Sequence, residues 1–113
     1  MEKPERKFGF FVFLARFLYI SEDMKENERE DIYRTAISKW GDAAQINMAY
    51  EECGELITAL ARYMRGRATA EEVLTEVADV SIMAEQMAVL FGKEKFEEEK
   101  ERKLQRLKER LEK

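Results

Sequence analysis

The sequence contains no histidine, one cysteine (Cys53), one proline and five glycines in 113 residues. The missing histidine excludes His-ligated zinc enzymes, the Glu-x-x-His di-iron bundle and any Ser-His-Asp triad. A single cysteine leaves no internal disulfide and no Cys-rich zinc site. So little proline and glycine, with 39% charged and 45% apolar residues, suits long amphipathic helices rather than a β-sandwich. The net charge of −4 gives no electrostatic basis for binding nucleic acid. Long apolar runs are lacking too. Phe8 to Ile20 spans only thirteen residues, broken by Gly9 and Arg16, whereas a membrane-crossing helix needs about twenty. An enzyme with this composition works with carboxylates and a hard metal.

The apolar run follows Lys3, Arg6 and Lys7, as in a signal peptide, but Glu2 and Glu5 dilute the charge and no small-x-small cleavage site follows. The favoured expectation is a short helix or strand packed on the rest of the protein or across a subunit interface. The alternatives are a targeting segment and an extension upstream of an ordinary start at Met24. Residues 1–27 thus form an apolar segment and linker, and residues 28–113 a helical domain.

Apolar spacing predicts four helices. The first covers about Glu28 to Lys39, with Ile32, Tyr33, Ala36 and Ile37 on one face. Trp40-Gly41-Asp42 interrupts it, Gly41 as a left-handed cap and Asp42 as the next N-cap. The second runs from about Ala43 to Arg65, with Ile46, Ala49, Cys53, Leu56, Ile57, Leu60 and Met64 as its expected core stripe. Cys53 is therefore expected to be buried and inert. Thr69 and Glu72 form a capping box for the third helix, which ends near Phe91 with Val73, Val77, Val80, Ala84, Met87 and Phe91 as its stripe. Lys93 to Lys113 is a charged helix with sparse leucines, supported by pairs such as Glu98/Arg102 and Glu99/Lys103. The expected architecture is all-α: an antiparallel bundle of about four helices, its core completed by oligomerisation.

The chemistry lies in Glu51-Glu52-Cys53-Gly54-Glu55, twenty residues, then Glu76-Val77-Ala78-Asp79. Glu52/Glu55 and Glu76/Asp79 are each three positions apart, so each pair points from one helix face. Both pairs fall on the shoulder of an expected core stripe, where an unpaired carboxylate is costly. Two antiparallel helices would bring the four together, and a cluster so acidic repels itself unless a cation sits in it. Mg²⁺, which takes oxygen ligands, suits such a cup. Gly54 weakens its helix by about 1 kcal/mol relative to alanine, which hints at close approach by something. Glu71 and Glu72 are explained by the helix start instead.

From about Trp40 to Gly92, these two acidic pairs resemble the signature of the MazG-like, all-α nucleoside triphosphate pyrophosphohydrolases. The resemblance implies a helical homodimer or homotetramer that cleaves an NTP or dNTP to the monophosphate and pyrophosphate, often to clean the nucleotide pool. It implies Glu52, Glu55, Glu76 and Asp79 as ligands of Mg²⁺, with Mn²⁺ as a substitute. Glu51 would be an outer group or the base for the attacking water, so Glu51, Glu52 and Glu55 are the catalytic candidates. Arg65, Arg67, Lys103 and Arg106 are candidate phosphate contacts, and Trp40, Gln45, Asn47 and Tyr63 candidate base contacts. The expected setting is cytoplasmic, with no membrane and no nucleic-acid partner. Two alternatives stand beside it. The phosphoribosyl-ATP pyrophosphohydrolases resemble the same motif class, and a non-catalytic helical interaction protein would carry the acidic pairs merely as solvated residues.

Overall fold

In the computed structural model, residues 24–113 are described and form four helices. They are α1 (Glu26–Trp40), α2 (Asp42–Met64), α3 (Ala70–Phe91) and α4 (Lys93–Leu111), with no strand among the described residues. The all-helical expectation is met, and each boundary falls within about two residues of the one read from the sequence. The expectations for Phe8 to Ile20 lie outside the described residues. No helix among the described residues is long and apolar enough to cross a membrane.

Local chemistry accounts for the helix ends. Gly41, at φ 93°, closes α1 by donating its N–H to the Ile37 carbonyl at 2.8 Å and opens α2 by accepting from the Gln45 N–H at 3.2 Å. A side chain at that φ would strain the backbone, so a glycine stands there. Asp42, expected as the N-cap, is instead the first residue of α2, where its charge complements the helix dipole. The Thr69/Glu72 capping box forms as expected, through Glu72 N–H to Thr69 Oγ1 at 3.1 Å and Thr69 N–H to Glu72 Oε1 at 2.8 Å.

The hairpin of α2 and α3 is the principal packing unit, and α1 lies against both of its helices. By backbone approach α4 meets only α3 among the described residues. Its first residue, Lys93, nevertheless reaches α1, with Nζ 3.1 Å from Glu26 and 2.9 Å from Glu30. Glu30 also pairs with Arg34 at 2.7 Å, and both cations hold its carboxyl below the usual range, Lys93 foremost. Ion pairs this exposed are screened by solvent, so they fix orientation more than stability.

Among the described residues the hydrophobic core is small: Tyr33, Met83 and Ala88 are the buried apolar ones, and no described side chain is fully buried. Gln45 and Gln86, only 3% and 4% exposed, hydrogen-bond to each other between α2 and α3. The Tyr33 hydroxyl donates to Glu85, tying α1 to α3, and burial followed by that carboxylate pushes the phenol up to about 12.

The inward face of the hairpin corrects the sequence reading. On α2, Gln45, Ile46, Ala49, Glu52, Leu56 and Ala59 turn inward, so Ile46, Ala49 and Leu56 of the expected stripe are placed as read, whereas Cys53, Ile57, Leu60 and Met64 are exposed, Ile57 by 68% and Met64 by 81%. At 100° per residue, the expected stripe centres roughly 60° away from the inward one. On α3, Val73, Glu76, Val80, Met83 and Met87 are buried or half-buried, while Val77, Ala84 and Phe91 are exposed. Each helix carries more apolar surface than one neighbour can cover. The line that faces in is the one whose polar members find partners or sit together.

Candidate metal centre

Because the inward line of α2 passes through Glu52 and that of α3 through Glu76, the carboxylates lie between the helices rather than on an outer shoulder. Glu52, Glu76 and Asp79, all half-buried, each offer an oxygen within 4.8 Å of the others. Three of the four expected ligands therefore converge. Glu55 is exposed and stands at the edge of the cluster, where its carboxylate helps to raise Glu76.

Glu52 Oε1 and Glu76 Oε1 are occluded from solvent and have no hydrogen-bond partner among the described residues. Desolvation first, then Glu55, Asp79, Glu76 and Glu51, push the Glu52 carboxyl above the usual range. Glu76 is raised by desolvation first, then by the neighbouring Glu55 and Asp79 carboxylates. No lysine or arginine among the described residues forms an ion pair with Glu52, Glu76 or Asp79. Two hidden, unpartnered anionic oxygens beside a third carboxylate are costly as they stand. The donor set is all oxygen and strongly anionic, which fits a hard divalent cation such as Mg²⁺ or Mn²⁺.

Beside the cluster runs a groove of about 660 Å³, within the size range of small-ligand sites. Glu51, Gly54, Glu55, Thr58 and Arg62 of α2 line one wall, and Glu72 and Glu76 of α3 the other. On α2 this wall and the exposed apolar line lie on opposite flanks of the inward face. A smaller hollow of about 330 Å³ between α1, α3 and α4 takes in Glu26, Glu30 and Lys93, whose charges are paired with one another.

The structure separates the other expected residues. Glu51 is exposed on the groove wall, near Glu55 and able to meet a ligand. Gln45 is buried with its amide bonded to Gln86, so within the protomer it stabilises the hairpin and does not face the groove. Trp40 is exposed at the end of α1 with the Lys39 ammonium over its ring, and Arg65 and Arg67 are exposed in the α2–α3 turn. Lys103 and Arg106 are exposed on α4, and neither lines the groove. Asn47 and Tyr63 are exposed on α2, and neither of them lines it. Sequence reasoning missed Thr58 and Arg62. Their spacing from Glu51 and Glu55, at three or four residues per step, was the signal that could have found them. Cys53 is free and exposed rather than buried. Comparison with protein-family models, curated proteins and solved structures gives no match to this chain.

Proposed function

We propose that this protein is a cytoplasmic, Mg²⁺-dependent nucleoside triphosphate pyrophosphohydrolase, acting on an NTP or dNTP in nucleotide-pool cleaning as a MazG-like helical homo-oligomer. The observation that carries the proposal is the convergence of Glu52, Glu76 and Asp79 around two occluded, unpartnered oxygens, next to a groove of nucleotide size. Glu52, Glu76 and Asp79 would hold the ion, with Glu55 beside them. When bound, the ion supplies positive charge against the triphosphate and orients water.

The chain's own residues do the rest. The groove holds the triphosphate against the hairpin, with the α-phosphorus beside the cluster. A water oxygen forms a bond to that phosphorus as the α–β bridging P–O bond breaks, and pyrophosphate leaves with the bonding pair. Glu51, exposed on the groove wall, is placed to take the water's proton. The exposed line Cys53, Ile57, Leu60 and Met64, with Leu74 and Val77 of α3, supports assembly with a second copy on the flank away from the groove. That same apolar flank is what favours the second reading, a non-catalytic interaction protein.

Glu55→Gln and Glu76→Gln test the assignment. Both should abolish turnover of any nucleotide the wild type hydrolyses, with helicity by circular dichroism unchanged. Full activity in either variant would remove that carboxylate from the mechanism and with it the assignment.

A further inference from the structure

Gly54 sits in the middle of a 23-residue helix, and a Cβ built on it would meet nothing within 4 Å. No packing among the described residues therefore calls for glycine there, although glycine weakens the helix. The residue lines the groove, so the missing side chain leaves backbone open to whatever the groove receives. Four and eight residues on, Thr58 and Arg62 line the same wall. Arg62 has no carboxylate partner among the described residues. Its Nη2 donates to the Arg67 carbonyl at 2.7 Å, which holds the guanidinium over the hairpin turn with its other N–H groups unengaged among the described residues. The wall thus runs from the carboxylates at Glu55 to a fixed cation at Arg62, seven residues or about 10 Å along the helix. A triphosphate chain is of comparable length.

We propose that Arg62 and Thr58 bind the terminal phosphate of the nucleotide, with Gly54 allowing the intervening phosphate to lie against the α2 backbone; this rests on the pyrophosphohydrolase reading above. Arg62 is then what distinguishes a triphosphate from a diphosphate, by charge-assisted hydrogen bonds that a shorter substrate cannot reach. Thr58 adds a hydroxyl donor one helical turn nearer the carboxylates. The polyphosphate runs toward the α2–α3 turn, which leaves the nucleoside toward the start of α2.

The test uses calorimetric binding of inorganic tripolyphosphate in Mg²⁺, and steady-state kinetics with nucleoside triphosphates and diphosphates. Arg62→Gln should weaken tripolyphosphate binding tenfold or more, raise KM for the triphosphate more than it lowers kcat, and erase the preference over the diphosphate. Arg62→Lys should restore part of the loss. Gly54→Ala should raise the melting temperature and still weaken tripolyphosphate binding, which separates lost contact from lost folding. Wild-type affinity and triphosphate preference in Arg62→Gln, beside an active wild type, would overturn this inference and leave the pyrophosphohydrolase reading standing. Arg62-dependent tripolyphosphate binding without turnover of any nucleotide would do the reverse. A wild type that neither binds tripolyphosphate nor turns over a nucleotide would overturn both.

Discussion

Glu52 and Glu76 face each other across the α2–α3 hairpin, each with one carboxylate oxygen hidden from solvent and without a hydrogen-bond partner among the described residues. Both carboxyls are raised above their ordinary range, chiefly by desolvation. An acid whose folded-state pKa is raised stabilises the fold when protonated, and that contribution is lost as pH rises through the folded value. The metal-free protein should therefore gain stability on acidification from neutrality toward about 4.5, the ordinary glutamate value. Glu30 and Glu99, whose pKa values are lowered, oppose this only below that range. Thermal melts in EDTA from pH 8 to pH 5 should show a rising midpoint. Millimolar Mg²⁺ or Mn²⁺ should raise the midpoint at pH 8 and flatten the slope, because a ligand that binds only the folded state stabilises it.

The same pair predicts a trade of stability against metal response. Glu76→Gln removes one buried negative charge, so the metal-free variant should be at least as stable as wild type at neutral pH. Its stabilisation by Mg²⁺ or Mn²⁺ should shrink by most of its value. A variant that melts lower in EDTA, yet keeps the full metal response, would mean that Glu76 serves the fold and not an ion.

Gln45 and Gln86 make a case in which polarity is structural. Gln45→Leu would leave the Gln86 amide buried and unpaired, at a cost of about 1–3 kcal/mol in urea unfolding. The double variant Gln45→Leu/Gln86→Leu should recover most of that loss, since neither amide is then stranded. Equal losses in the single and double variants would mean that each glutamine acts alone.

On the apolar flank, Ile57→Asp and Leu60→Glu place charges on surface that an assembled protein would bury. Light scattering should report a homodimer or homotetramer for the wild type and a smaller species for either variant, with the far-ultraviolet spectrum retained. A wild type that is monomeric at micromolar concentration would contradict the assembly.

Much of this architecture is legible in the sequence. Helix ends are written in Gly41, Thr69, Glu72 and Gly92, residues whose roles are local, and all four act at helix ends. The clustering of Glu52, Glu76 and Asp79 is legible as well, because a three-residue spacing on antiparallel helices leaves few other arrangements. The direction in which α2 faces is not. Ranking stripes by apolarity selects Cys53, Ile57, Leu60 and Met64, which is sound when a helix has one neighbour to satisfy. The inward line contains Gln45 and Glu52, and burying Gln45 becomes acceptable only once Gln86 is opposite. A partner on another helix is invisible to the periodicity of one. Arg62 is legible as far as its helical spacing from Glu55 goes, but the periodicity of one helix does not show that the Arg67 carbonyl will hold its guanidinium over the hairpin turn.

The most direct test of the account is ³¹P NMR of the products after incubating the wild-type protein and Mg²⁺ with a panel of NTPs and dNTPs. Monophosphate and pyrophosphate are expected from at least one of them, abolished by EDTA and absent with Glu76→Gln. Diphosphate and phosphate would contradict cleavage between the α and β phosphates. No product from any nucleotide would shift the weight to phosphoribosyl-ATP as substrate, and inactivity there too would leave the hairpin as a binding surface alone.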